Sequence, residues 1–220
     1  MGWAKELLAR TANHELLART LKLSCGAVQL RTAKRGESMA FDGSHLTTMF
    51  GPKWRLLLIG AGQLSQAVAT MAQMLDFEVL VCDPREEYAA TLNMNNVTRV
   101  LGMPDDVVRE MQADAHTAIV ALTHDSKLDD MALMEALRSD AFYVGALGSR
   151  RNQATRKARL IEHFDMTEAD FAKLHGPVGL RLGAKTPAEI AVSIVAEIVQ
   201  VRYSTQPSVA LEASLGCTTS

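Results

Sequence analysis

Arg55-Leu-Leu-Leu-Ile-Gly-Ala-Gly-Gln-Leu-Ser65 decides the fold: a short apolar run breaks at two glycines and restarts with a different period. Residues 55–59 read as a strand buried on both faces, sharply bounded by glycine. From there Leu64, Ala67, Val68, Met71, Ala72 and Leu75 fall on one helical face. Phe77-Glu-Val-Leu-Val-Cys82 supplies a second strand and stops at Asp83, which makes the unit βαβ. Gly60 suits the tight turn, and Gly62 lets backbone come close to a pyrophosphate. Gln63 and Leu64 open the helix whose bare N–H groups would face that anion. Asp83 follows at about the 20-residue offset where a ribose-binding acid belongs. Ser65 stands where the motif usually has Gly or Ala, and its extra oxygen predicts a slightly lifted helix.

Outward from this unit, strands and helices alternate. Residues 97–101 predict a third strand after a turn at Pro84-Arg-Glu-Glu, and Pro104-Asp-Asp opens a helix. Thr117-Ala-Ile-Val-Ala-Leu-Thr123 predicts a fourth strand, with a helix at 129–138. Ala141–Leu147 predicts a fifth strand and Arg150–Phe164 a basic helix. Thr167-Glu-Ala-Asp170 is a capping box, Val178-Gly-Leu-Arg-Leu182 reads as a sixth strand, and Thr186-Pro-Ala-Glu189 starts a helix to about Val201. The expected class is α/β: a doubly wound, mostly parallel Rossmann-like sheet over residues 53–203. Residues 1–52 predict a small α+β appendage. It has one or two amphipathic helices over 4–21, then a hairpin from Ala27–Thr32 and Ser38–Phe41 around Arg35-Gly36. Asp42-Gly43 is a second turn and Gly51-Pro52 a boundary. About fifty residues are few for an independent core, so this part is expected to lean on the main domain or on a second subunit. Residues 204–220 read as a frayed tail.

Composition narrows the function. Apolar residues make up 48% of the 220, and the net charge of −2 shows no basic excess, which argues against nucleic acid and a membrane surface. No apolar run approaches the roughly 18 residues a bilayer span needs. Charges in Met1-Gly-Trp-Ala-Lys-Glu disfavour a signal peptide, and Cys217-Thr-Thr-Ser lacks the aliphatic centre of a prenylation signal. Cys25, Cys82 and Cys217 have no metal-ligand spacing and no disulfide pattern, so neither a metal site nor an oxidising compartment is expected. The expected location is the cytoplasm.

In such a sheet, ligands gather at the carboxyl ends of the strands, and three strand ends carry chemistry. At Gly60/Gly62, Asp83 would accept from ribose hydroxyls and favour NAD, while Arg85 could instead pair with the extra phosphate of NADP. Thr123-His-Asp-Ser-Lys-Leu-Asp-Asp130 offers His124 or Lys127 as acid/base beside orienting carboxylates; otherwise it is a polar loop whose Asp129 caps the next helix. Gly145-Ala-Leu-Gly148-Ser-Arg-Arg151 resembles an anion cradle made of backbone N–H groups, Gly148, the Ser149 hydroxyl and Arg150 or Arg151. His175-Gly-Pro and Gly183-Ala-Lys-Thr186 are expected to close the same cleft.

These pieces, in this order, carry a resemblance. Asp83-Pro-Arg85, Thr123-His-Asp125 with Lys127-Leu-Asp-Asp130, Tyr143-Val-Gly-Ala-Leu-Gly-Ser-Arg-Arg151, His175-Gly-Pro-Val-Gly179 and Gly183-Ala-Lys-Thr-Pro-Ala-Glu-Ile190 resemble the Rossmann domain of the xanthine dehydrogenase accessory proteins (XdhC/CoxI). The similarity runs from about Trp54 to Val201. It implies a protein that binds molybdenum cofactor, helps mature molybdenum hydroxylases, carries a nicotinamide dinucleotide site and forms a homodimer. Gln63, Leu64 and Ser65 stand where the family usually has His, Val and Gly, and Arg181 where it often has Asp. The family's separate domain with a Gly-Gly-Cys-Val-Glu type motif has no counterpart in the residues before Gly51, and Ser24-Cys-Gly26 is not that motif. The expectation is therefore a nucleotide or cofactor site without a direct sulfuration role. The alternative is an NAD(P)-dependent oxidoreductase acting on a small anionic substrate.

Overall fold

The computed structural model describes residues 2–13, 15–34, 37–91 and 94–204, leaving aside the side chains of 89–91. The turn expected at Arg35-Gly36 and the tail from 205 onward, with Cys217, lie outside the described residues.

The core of the molecule is a six-stranded parallel sheet. Its strands are β5 (Arg55–Ile59), β6 (Glu78–Cys82), β7 (Val97–Val100), β8 (Thr117–Ala121), β9 (Tyr143–Ala146) and β10 (Leu174–His175), in spatial order β10-β9-β8-β5-β6-β7. From β5 the chain winds outward through β6 and β7, then returns to β8 on the other side and winds outward again, which is the doubly wound Rossmann arrangement. Strand β5 pairs with β6 on one side and β8 on the other, which explains why it is apolar from Leu56 to Ile59. Its alternate residues feed two cores. Leu56 and Leu58 pack with Val68, Ala72, Ile194 and Ile198 under α2 (Gln63–Met74) and α7 (Pro187–Ser204). Leu57 and Ile59 pack on the other face with Leu133, Ala136 and Leu160. Those residues come from α5 (Ser126–Arg138) and α6 (Arg150–His163), beside which lies α4 (Pro104–Glu110). In-register pairing of Ile59 with Cys82 and with Ala121 brings the strand ends level, so Gly60, Asp83 and Leu122 emerge along one edge.

The sixth strand is a correction. Residues 178–182 form no strand; the pairing with β9 is made by Leu174 and His175, opposite Val144 and Gly145. Pro177 has no N–H to give a ladder, and after Val178 donates to the Ala146 carbonyl at 3.0 Å the chain leaves the sheet. The apolar alternation of Val178, Leu180 and Leu182 misleads because only Val178 enters the core, while Leu182 is exposed. Pro84-Arg-Glu-Glu leads into a short helix, α3 (Glu86–Thr91).

The N-terminal part differs more. Helix α1 (Gly2–Ala12) is followed by a strand, β1 (Leu17–Lys22), where the apolar spacing predicts helix. Arg19, on the same side of the strand as Leu17 and Leu21, hides the alternation. Its guanidinium lies over the rings of Trp3 and Phe50, each 5.3 Å away, so a charged residue occupies an inward position. The expected hairpin is also replaced: β2 (Val28–Thr32) pairs with β1, and β3 (Ala40–Phe41) pairs with β4 (His45–Phe50), in order β2-β1-β4-β3. The Asp42-Gly43 turn is present. The Asp42 carboxylate accepts from the N–H groups of Ser44 (2.8 Å) and His45 (2.6 Å), which hold its pKa down at about 2.

Candidate functional site

The β5–α2 turn is set by backbone, not side chains. Gly60 has φ +106°, and a Cβ there would sit 3.0 Å from the Thr123 Cα, so neither conformation nor space admits a larger residue. Gly62, by contrast, has ordinary φ and nothing within 4 Å of a Cβ position. It is the N-cap of α2, and no side chain caps the helix's first-turn N–H groups. Those bare donors face a cavity of about 700 Å³ at the reversal of strand order. One wall is Gly60, Gly62, Gln63 and Leu64; another is Arg85 with Tyr88; Thr123–Ser126 forms the third, and Pro187 closes it.

Asp83 does not line this cavity. Its side chain is fully buried: Oδ1 accepts from the Arg85 N–H and Nε (3.1 and 2.8 Å), and Oδ2 from Arg85 Nη2 (2.8 Å) and the Ala61 N–H (3.0 Å). Burial pushes this carboxyl upward, but the donation from Arg85 and Ala61 outweighs it and the pKa is lowered. Asp83 thus fastens the glycine turn to Arg85, and Arg85, stacked 4.0 Å from the Tyr88 ring centre, is the group that meets the cavity.

Thr123 lies two residues beyond β8, which ends at Ala121 rather than at Thr123. Its N–H and hydroxyl both donate to Asp129 Oδ1 (3.1 and 2.7 Å), and Asp125 caps α5 by accepting from the Lys127 N–H at 2.9 Å. Asp129 is therefore not the helix cap. It is buried, and its other oxygen receives Arg156 Nη2 at 3.3 Å, while Arg156 Nε holds Asp130 at 2.9 Å. Burial raises the Asp129 pKa despite these donors. His124 takes a left-handed φ of +62°, uncommon for a residue with a Cβ, and lines both this cavity and a neighbouring one of about 280 Å³. Its imidazole has no hydrogen-bond partner among the described residues, and Lys127 lines neither cavity, so of the two alternative acid/base groups only His124 borders the space.

The expected anion cradle after β9 is divided. Ser149 Oγ accepts from the Asn152 N–H at 3.2 Å and caps α6. Arg151 faces the 280 Å³ cavity, with Arg156 and Arg159. Arg150 faces a third cavity, of about 790 Å³, with His175 and Gly183, and Gly148 borders both. His175 and Gly183 therefore line the same space as Gly148 and Arg150, across β9 from the glycine turn.

Residues 56–198 match the family model described as the XdhC Rossmann domain. The chain belongs to this family. It is 34% identical over 152 residues to a probable xanthine dehydrogenase subunit of Bacillus subtilis, a match covering 69% of this chain and 44% of that protein. It is 27% identical over 153 residues to the molybdenum cofactor insertion chaperone PaoD of Escherichia coli, covering 70% of this chain and 42% of PaoD. The chain thus spans less than half the length of these two relatives. A crystal structure titled as a xanthine dehydrogenase from Bacillus halodurans shares the fold, with a TM-score of 0.70 at 22% identity over 96% of this chain and 66% of that one.

Within this XdhC domain, sequence reasoning missed the Asp129–Arg156 network and the pairing of Tyr143 with Glu197. The acidic pair in Leu128-Asp-Asp130 and the basic run of α6 were visible, but their complementarity depends on the α5–α6 packing. Tyr143 and Glu197 are 54 residues apart, and no local pattern links them. Among the described residues no group of three or more His, Cys, Asp or Glu side chains is placed to hold a metal. No described helix is long and apolar enough to cross a membrane.

Proposed function

We propose that this chain is an accessory protein in the maturation of a molybdenum hydroxylase of the xanthine dehydrogenase type. Its glycine turn would hold a phosphate-bearing ligand, either molybdenum cofactor or a nicotinamide dinucleotide. The observation that carries the reading is the uncapped start of α2 facing an open cavity in an XdhC domain. The names of its relatives, a xanthine dehydrogenase subunit and a molybdenum cofactor insertion chaperone, support the molybdenum role.

The chemistry of the lining fits phosphate and pterin rather than molybdenum itself. Gly62 leaves room for a phosphate against the α2 N–H groups, and Arg85 supplies a cation. Among the described residues no thiol is at hand: Cys25 lies in the turn after β1, and Cys82 is buried with its thiol pushed up to about 12. Arg85, rather than Asp83, would then set the preference between NAD and NADP, and its position favours acceptance of a 2′-phosphate. The oxidoreductase reading has less support, because His124 lacks an orienting carboxylate. The maturation reading implies a cytoplasmic homodimer that docks on a molybdenum hydroxylase or its maturation machinery. Co-purification of the tagged chain with an immature molybdenum hydroxylase tests it; steady hydride transfer from NADH to a carbonyl substrate, with no such partner, would replace it.

A further inference from the structure

Across β9 from the glycine turn, the 790 Å³ cavity has a built floor of its own. Glu197 of α7 enters it with one oxygen already fixed: Oε2 accepts from the Tyr143 hydroxyl (2.5 Å) and from the Gly179 N–H (2.8 Å). The other oxygen, Oε1, lies 3.4 Å from Nδ1 of His175. The imidazole is stacked on the Tyr143 ring, centres 4.4 Å apart and planes 20° apart, so both its position and its rotation are set. A carboxylate at Nδ1 selects the tautomer that leaves Nε2 as the exchanging nitrogen, and Nε2 has no hydrogen-bond partner among the described residues. Burial pushes the Glu197 carboxyl up, but the donors His175, Tyr143 and Gly179 outweigh it and the pKa is lowered.

Two guanidiniums, Arg150 and Arg181, line the same cavity, and neither has a hydrogen-bond or ion-pair partner among the described residues. Among the described residues Glu197 is the only carboxylate in the lining, and its charge is already met by Tyr143, Gly179 and His175. The charged and titratable groups around the imidazole are thus Tyr143, Glu197, Arg150 and Arg181. The excess is cationic, and the neutral proton carrier is an imidazole. A phosphate monoester brings negative charge to the two guanidiniums and oxygens that can exchange a proton with the imidazole Nε2.

We propose that this cavity is a second small-molecule site, for a phosphate monoester, in which Arg150 and Arg181 take the charge and His175, positioned by Glu197, shares a proton with the phosphate. In the shared step the proton passes between a phosphate oxygen and Nε2, while Glu197 stays ionised and no bond to phosphorus changes. The site stands whether or not a nucleotide occupies the glycine turn.

The test is a titration of the full chain with inorganic phosphate, followed on histidine ring nitrogen resonances. The expected result is a saturable shift at His175 that exceeds those of the other histidines. It should weaken about tenfold or more in Arg181→Ala and in Arg150→Ala, the loss of one charge-assisted contact. Glu197→Gln, close to isosteric, should also convert His175 to mixed tautomers while its ring stays stacked on Tyr143. Tyr143→Phe, which keeps the ring and the carboxylate, serves if that variant fails to fold, and should leave the His175 Nδ1–H tautomer in place because Glu197 loses a donor and keeps its charge. An unmoved His175 ring, or equal phosphate affinity in parent and Arg181→Ala, overturns the proposal. NAD binding at the glycine turn, measured alongside, is expected to be unchanged in Arg181→Ala, so failure of one site is not mistaken for failure of the other.

Discussion

Asp83 and Arg85 face each other through two 2.8 Å contacts, Nε to Oδ1 and Nη2 to Oδ2, at the mouth of the cavity beneath the glycine turn. The carboxylate is wholly buried and the guanidinium partly open. This arrangement turns a ribose-type acid into an anchor for a cation. Asp83→Ala strips the buried Ala61 N–H and Arg85 of their acceptor, and is expected to cost about 2–3 kcal/mol in urea unfolding. Arg85→Ala should lower affinity for NADP about tenfold more than for NAD; an unchanged ratio would show that Arg85 does not meet the 2′ position.

Arg156 answers two buried carboxylates at once. Arg156→Ala leaves Asp129 and Asp130 facing each other without that cation and is expected to destabilise the domain by about 3–5 kcal/mol. Arg159 also pairs with Asp130 but reaches solvent, so Arg159→Ala should cost much less. Denaturant midpoints of the two variants decide the order.

Ser65 Oγ is buried without a hydrogen-bond partner at the third position of the glycine motif. Removing the hydroxyl removes an unsatisfied polar atom, so Ser65→Ala is expected to raise stability by about 1 kcal/mol. A fall in melting temperature would mean that the hydroxyl has a partner in solution.

Glu197 gives the acid limb of stability a specific source. Its folded-state pKa lies below the ordinary glutamate value of about 4.3. Its contribution is therefore full above that pH and is lost as pH falls through the lower folded-state value. Glu197→Gln should flatten the stability profile below about pH 4.3; an acid limb identical to the parent's would place the linkage elsewhere.

The two cysteines of the described residues should separate cleanly by reactivity. Cys25 is exposed, and Cys82 is buried with its thiol raised to about 12. Peptide mapping after native alkylation should find Cys25 modified and Cys82 untouched until the chain unfolds.

The parallel sheet was legible because its central strands are apolar on both faces and its helices keep a clear stripe, so composition and period agree. The sixth strand was not, since two residues of Leu174–His175 carry no period and the stronger alternation lay just beyond it. In the first fifty residues Arg19 stands in an inward position between Trp3 and Phe50, and a contact between distant rings cannot be seen in the order of residues. At the site, Gly60 and Gly62 announced the turn, but the role of Asp83 depends on the Arg85 side chain folding back onto it. The split between Arg150 and Arg151 is likewise set by successive positions on α6 pointing to different cavities.

The central claim is that the bare start of α2 receives a phosphate through the opening beside Gly62. Gly62→Val suits the backbone, whose φ is −75° and ψ −179°, and its Cβ would meet no heavy atom within 4 Å, so the branched side chain is placed at the opening. Calorimetric titration of parent and Gly62→Val with NAD, NADP and molybdopterin is the direct measurement. The account predicts binding of at least one of the three by the parent and its loss in a variant that still unfolds in one cooperative transition. Equal affinities in the two proteins, or no binding of any of the three by the parent, would contradict it.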